Sequence, residues 1–347
     1  MAGKSLVLVI PGDISTQTGG YIYDRRLLRE LESQGWDASH ISLGKSFPKP
    51  TNSDMQEARE KLIVADRESI LLIDGLALGA LEPELVRALD ADVIALIHHP
   101  LAYEGNLDSK SRERFFETER VNIEASKRVI VPSPHTKNLL TGEYGIDDSK
   151  INVAEPGIDF FKCNQEKLEP PLVLSVGIQV QRKGHDVFLK ALAQITHLDW
   201  QAVIAGSVQD EQYATELQKL LIDLNLENRV SIESSVSGME LADLYCQASV
   251  FALATRYEGF GMVFNEAMSY GLPIVSCETG AVPDTVATGA GKLLAVDDFE
   301  SFAGALAEIL EDESVRNEMS QASKQAGQKL KSWEQTAETV SRVLASL

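Results

Sequence analysis

The chain has little of what marks a secreted, membrane-spanning or nucleic-acid-binding protein. Its three cysteines, Cys163, Cys246 and Cys277, are odd in number, widely spaced and form no CxxC pair. Neither a disulfide framework nor a zinc site is expected, and a reducing cytosol fits. No apolar run approaches the roughly 20 residues of a membrane helix; the longest weakly polar stretch, 69–81, is broken by Asp74 and by glycines. Met-Ala-Gly-Lys leads directly into Ser5–Ile10 and Pro11-Gly12, too short for a signal-peptide core, so no export is expected. Positive charge is also scarce. Lys and Arg number 32 against 52 Asp and Glu, a formal net charge of −20. A field of that sign repels phosphate backbones and excludes nucleic acid as an expected partner, and it disfavours adhesion to anionic lipid.

What is present is ordinary globular material, 44% hydrophobic and 24% charged over 347 residues, enough for substantial cores. At roughly 100–200 residues per domain, two domains are expected. Short β-branched runs at 6–10, 39–43, 70–73, 92–98, 128–131 and 151–154 alternate with helical segments such as 21–34 and 107–126. That alternation predicts a parallel sheet with helices on both faces. It pauses over 156–171, read as a linker, and resumes with strands at 172–176, 202–205, 230–232, 250–254 and 274–276. The prediction is an α/β protein of two doubly wound, Rossmann-like domains, 1–158 and 171–330, facing a central cleft. A final helix, 333–347, packs back toward the first. In open α/β sheets ligands bind beyond the carboxyl ends of the strands, so the loops there are the candidate sites.

The first such loop, 11–20, ends in Gly19-Gly20 and opens a helix, which leaves backbone N–H groups free for an anion. His98 and His99 follow the strand 92–98. No HxH, HExxH or local carboxylate cluster accompanies them, so no metal is expected. Asp90-Ala-Asp92 spells a DxD but lies at the amino end of its strand, away from the ligand side. After strand 172–176 the loop Gly177–Gly184 carries Arg182 and Lys183, two cations placed to neutralise a diphosphate. The most specific stretch is 255–273. Glu258 precedes Gly259-Phe260-Gly261, which opens a helix containing Glu266 and ending at Gly271 and Pro273. Acceptor-only carboxylates suit vicinal hydroxyls of sugars and ribose.

Taken together, the Glu258–Glu266 spacing (Glu-x7-Glu), the Arg182-Lys183-Gly184 loop, Gly19-Gly20, His98 and the Pro156–Asp159 junction resemble the retaining glycosyltransferases of family 4, with the GT-B fold. The resemblance covers nearly the whole chain in order. It implies that Arg182 and Lys183 bind the donor diphosphate and that Glu266 holds the nucleotide ribose. Glu258, with the backbone of Gly259, Phe260 and Gly261, then meets the donor sugar. His98 lies near the reacting carbon and Gly20 lies between acceptor and phosphates. Two positions depart from the family: Ile178 stands where arginine is usual, and Ala281 and Asp284 replace a glycine and a glutamate after Gly280.

The expected activity is transfer of a hexose, from a donor of the UDP-glucose type, to an acceptor hydroxyl with retention of configuration, without metal or other cofactor. The acceptor is a sugar, a small polyol or a membrane lipid. The lipid alternative, with peripheral placement at the inner membrane face, rests on the helix 107–128 with Phe115-Phe116 among Arg112, Arg114 and Arg120. Competing readings are a nucleotide-sugar epimerase or hydrolase on the same fold, a non-catalytic sugar-binding protein, and an NAD-dependent enzyme, the last weakened by the lack of GxGxxG after the first strand.

Overall fold

The computed structural model describes residues 5–65, 69–104, 107–159, 163 and 165–347. The chain divides into two units, Met1–Gly157 with Lys331–Leu347, and Ile158–Leu330. Each is built on a six-stranded, wholly parallel sheet.

In the first unit the strands are β1 (Ser5–Pro11), β2 (Asp37–Leu43), β3 (Ser69–Asp74), β4 (Val93–Leu96), β5 (Arg128–Val131) and β6 (Ile151–Val153), in the order β2-β1-β3-β4-β5-β6. The central strands are buried throughout, as helices on both faces require, whereas edge strand β2 leaves several residues exposed. Strand β4 is shorter than its apolar run: pairing ends at Leu96, although the Ile97 N–H still donates to the Ile130 carbonyl. His98 therefore stands in a loop, two residues before Pro100. The helix expected from 107 starts at Ser109, because the Asp108 carboxylate accepts from the Ser111 N–H and caps it. The closing helix, Trp333–Ala345, belongs to this unit. Trp333 meets the Tyr23 ring edge-on at 5.6 Å, Trp36 Nε1 donates to Ser341 Oγ at 2.8 Å, and Thr336 Oγ1 donates to the Glu155 carbonyl at 2.8 Å. Gly157 lies against this helix start with no room for a side chain: a Cβ would fall 2.2 Å from the Trp333 nitrogen.

The second unit carries β7 (Leu172–Val176), β8 (Gln201–Ala205), β9 (Val230–Glu233), β10 (Ala248–Leu253), β11 (Ile274–Cys277) and β12 (Gly291–Leu294), in the order β12-β11-β10-β7-β8-β9. Strand β12 escapes sequence reasoning because it begins at a glycine, is half-buried at every position and lies at an edge. The cysteine expectation is corrected here. Cys163 and Cys246 are joined as a disulfide, with Cα atoms 5.5 Å apart, and only Cys277 is free and buried. The chain before β7 returns along the amino end of β10, where the Leu168 N–H donates to the Gln247 carbonyl. Residues 83 apart in sequence thus become neighbours, and cysteine spacing carries no argument for a reducing compartment.

Strand order reverses between β1 and β3 in the first sheet and between β7 and β10 in the second. Such reversals splay the flanking loops apart and open a crevice at the carboxyl ends of the strands.

Candidate active site

In the second unit the loop after β7 is pressed against the end of β10. Gly184 has φ +66°, and a Cβ there would sit 1.8 Å from the Ala254 carbonyl oxygen. Only glycine permits that approach. The Arg256 N–H and Thr255 Oγ1 both donate to the Arg182 carbonyl, at 2.8 and 3.1 Å. The Lys183 stem lies over Gly177, within 3.2 Å of where a Cβ would stand, and its ammonium donates to Glu258 Oε1 at 2.6 Å. Thr255 Oγ1 donates to the same oxygen at 3.0 Å, while Arg182 approaches Oε2 at 3.7 Å and donates to the Tyr257 carbonyl at 2.9 Å.

Three of the predicted residues, Arg182, Lys183 and Glu258, therefore form one cluster. Burial pushes the Glu258 carboxyl up, but Lys183 and Arg182 outweigh it and the net shift is downward, so it stays ionised. Burial lowers the Lys183 pKa, opposed by Glu258.

The turn after β11 braces this motif. Gly280, at φ +53°, has its Cβ position 2.3 Å from the Glu258 carbonyl oxygen, and the Ala281 N–H donates to that oxygen at 2.8 Å. Thr285 Oγ1 donates to the Phe260 carbonyl at 2.7 Å. The turn is tight despite Ala281 and Asp284. Gly261, at φ +86°, starts the helix Met262–Ser269, and Glu266 on that helix accepts from Tyr245 Oη at 2.7 Å. Burial raises the Glu266 pKa, and its field reaches Lys183.

In the first unit the helix Gly19–Ser33 follows β1. A Cβ on Gly20 would lie 3.1 Å from His98 Cδ2, so the glycine fits against the imidazole. His98 Nε2 is 2.9 Å from Asp24 Oδ1 and 3.6 Å from Asp74 Oδ2, and Tyr23 meets its ring edge-on at 5.1 Å. The side chains of Asp24 and Asp74 are 2% and 4% exposed, which decides that their charges act on His98 with little solvent screening. Burial lowers the His98 pKa, yet the two carboxylates outweigh it and the net shift is upward. Burial, then the Asp24 charge, raises that of Asp74.

The expectation that no carboxylate cluster adjoins His98 is thus corrected, since the acids come from β3 and from a helix remote in sequence. Among the described residues, Asp24, Asp74 and His98 are the group compact enough to hold a cation, with donor atoms within 4.8 Å. Asp74, the last residue of β3, was findable by the same strand-end rule that selected His98. His99 bonds Glu104 instead, at 2.6 Å, and Asp92 pairs with Lys127 at the start of β4.

Three helices that start at these loops, Gly19–Ser33, His185–Gln194 and Met262–Ser269, lack a side-chain cap at the amino end. The helices beginning at Ser109, Pro134, Glu211, Gly238, Phe299, Glu313 and Trp333 all have one, while the short helices Pro83–Arg87 and Val282–Thr285 also lack one. At Gly19–Ser33 and Met262–Ser269 an uncapped start leaves N–H donors for an anion, whereas in His185–Gln194 the Asp186 N–H already donates to Tyr213 Oη at 3.2 Å.

The aromatics behind the lipid alternative are not offered to solvent. Phe115 is buried at 4% exposure and Phe116 packs on Tyr144 at 4.4 Å, so both aromatics face inward. Among the described residues no helix is long and apolar enough to cross a membrane.

Two parallel Rossmann-like sheets, each with ligand loops at its strand ends, are the building blocks of the GT-B fold. Sucrose-phosphate synthase from Thermosynechococcus elongatus shares that fold, with TM-score 0.82 over 98% of both chains at 20% identity. Residues 158–326 match "Glycosyl transferases group 1" and residues 69–160 match "Glycosyltransferase Family 4". The chain belongs to the family 4 glycosyltransferases. Mannosylfructose-phosphate synthase of Agrobacterium fabrum is 29% identical over 186 residues, 48% of this chain and 41% of that protein. D-inositol 3-phosphate glycosyltransferase 1 of Catenulispora acidiphila is 29% identical over 210 residues, 55% and 50% of the two. The chain spans about half the length of these curated relatives.

Proposed function

We propose that the protein transfers a hexose from a nucleotide diphosphate sugar to an acceptor hydroxyl, with retention at the anomeric carbon. The observation that carries this reading is the Lys183–Arg182–Glu258 cluster at the β7/β10 reversal, where two cations lie beside a carboxylate kept ionised. Lys183 and Arg182 meet the donor diphosphate, and the uncapped start of 262–269 adds N–H donors. Glu266 accepts from ribose hydroxyls. Glu258 and the backbone of Gly259, Phe260 and Gly261 orient the hexose.

The bond from the anomeric carbon to the β-phosphate oxygen breaks while the acceptor oxygen bonds that carbon on the same face. The acceptor proton passes to the departing phosphate. Charge growing on the diphosphate is stabilised by groups already in place, which is where the rate is gained. His98 and Gly20 serve the reacting carbon and the acceptor side.

These cations replace a divalent ion, so turnover needs none. The acceptor is a sugar or small polyol in preference to a lipid. Relatives named for mannosylfructose phosphate and inositol 3-phosphate support that, and the inward-facing Phe115 and Phe116 weaken the lipid alternative, which a relative named for a phosphatidylinositol mannoside keeps in the test. The test is a transfer assay with UDP-glucose first and GDP- and ADP-hexoses beside it, with polyol or sugar phosphates against diacylglycerol vesicles, with and without EDTA. Sugar transfer to the soluble acceptors in EDTA is expected. Loss of activity in EDTA restored by Mg²⁺ overturns metal independence. Donor epimerisation or hydrolysis that no acceptor diverts overturns transfer.

A further inference from the structure

Glu266 is held from behind. Tyr245, near the end of the helix Gly238–Gln247 and 2% exposed, donates its phenolic hydrogen to Glu266 Oε2 at 2.7 Å. The Tyr245 ring is fixed on both sides. It stacks on Tyr270 with centroids 5.2 Å apart and planes 7° from parallel, and on Phe251 at 6.0 Å and 21°. Burial and the Glu266 charge push the phenol pKa well above its ordinary value, so it remains a donor throughout the working pH range. Among the described residues Glu266 Oε1 has no hydrogen-bond partner, and a carboxylate offers about four lone-pair sites.

We propose that Tyr245 is the positioning residue for Glu266: its hydroxyl fixes the carboxylate's rotation and turns Oε1 and the remaining lone pair of Oε2 toward the vicinal hydroxyls of the donor's ribose. The inference rests on the reading of Glu266 as the ribose acceptor. Tyr245 does not touch the nucleotide. It converts a carboxylate that would otherwise sample several rotations into a preorganised acceptor, so the entropy of ordering Glu266 is met during folding and not at binding. The residue is easily missed in sequence, since a tyrosine on the apolar face of a helix is ordinarily core, and its hydroxyl gains meaning only when the neighbouring helix brings Glu266 beside it.

The experiment is calorimetric titration of UDP, GDP, ADP and inorganic pyrophosphate into wild type, Tyr245→Phe, Glu266→Gln and the double variant. Tyr245→Phe keeps the stacked ring and removes one hydroxyl. It is expected to weaken the best-bound nucleoside diphosphate about tenfold while pyrophosphate, which has no ribose, changes less than twofold. In the Glu266→Gln background the same substitution is expected to add less than a twofold loss, because coupled groups do not contribute independently. Unchanged nucleotide affinity in Tyr245→Phe overturns the proposal. So does an equal loss for pyrophosphate, the mark of a loosened fold, or full additivity of the two losses. Wild-type protein that binds none of the three nucleotides overturns the reading of Glu266 itself and this inference with it, and that outcome is seen before any variant is made.

Discussion

Lys183 and Glu258, 75 residues apart in sequence, meet through one contact of 2.6 Å between Nζ and Oε1, with side chains only 11% and 6% exposed. The pair joins the loops that leave β7 and β10, so a group assigned to the diphosphate and a group assigned to the sugar hold one another in the free protein. Donor binding must then redistribute contacts already made, not gather free side chains.

Removing Lys183 leaves a buried carboxylate with Arg182 at 3.7 Å as its nearest cation. Breaking such a pair from one side costs about 3–5 kcal/mol. Lys183→Ala is expected to lower the unfolding free energy by about that much in urea titrations, and adding Glu258→Gln should recover part of the loss. A double variant less stable than the single one contradicts the pairing. Under the proposed mechanism Lys183→Ala also lowers turnover at saturating donor roughly a hundredfold, the scale of one lost transition-state contact.

His98 owes its raised pKa to Asp24 and Asp74 working against burial. Asp24→Asn removes the nearer charge and weakens the hydrogen bond, leaving burial less opposed. The His98 pKa is expected to fall, read from the imidazole resonances across a pH titration. An unmoved titration curve contradicts the assignment of cause.

Glu119, wholly buried, accepts from the Leu101 N–H at 3.1 Å and from Tyr144 Oη at 2.9 Å, and burial raises its pKa to about 8. A carboxyl with a raised folded pKa binds more protons folded than unfolded. Its contribution is therefore present at low pH and lost as pH climbs from about 4.5 toward 8, at no more than about 1.4 kcal/mol per pH unit. Glu119→Gln is expected to flatten the fall in stability over that window, measured by denaturant midpoints at several pH values. Parallel profiles for wild type and variant contradict it.

Two glycines separate strain from function. Gly184→Ala drives a Cβ into the Ala254 carbonyl at φ +66° and is expected to cost roughly 3 kcal/mol or more, or to prevent folding. Gly20→Ala meets only the His98 ring at 3.1 Å, and alanine favours the helix by up to about 1 kcal/mol. Thermal unfolding is expected to show Gly20→Ala as stable as wild type, with slower transfer. A Gly20→Ala protein with full activity removes the loop from the site.

Much of this was readable from residues alone, for identifiable reasons. Strands β1, β3, β7 and β10 are near-continuous apolar runs because they are buried on both faces, and such runs stand out. Arg182, Lys183 and Glu258 lie beside glycines in loops at strand ends, where local pattern marks a site, and Glu266 follows on the helix that Gly261 opens. Strand β12 was missed because an edge strand needs neither a long apolar run nor clean alternation. Asp24 and Tyr245 were missed because each gains its partner only when separate elements pack together, whereas Asp74 was overlooked although it ends a strand. The Phe115-Phe116 pair was misread because periodicity gives an apolar face but not what that face meets.

The helix Trp333–Ala345 belongs to the unit that contains β1, so translation makes the two parts of that unit at separate times. The whole of Ile158–Leu330 emerges in between. At roughly 5–20 residues per second that interval is on the order of 10–30 s. Throughout it Tyr23, Arg26 and Trp36 lack the partners that Trp333 and Ser341 later supply. The nascent chain therefore carries an uncovered strip for that interval, and the second unit can finish folding before the first.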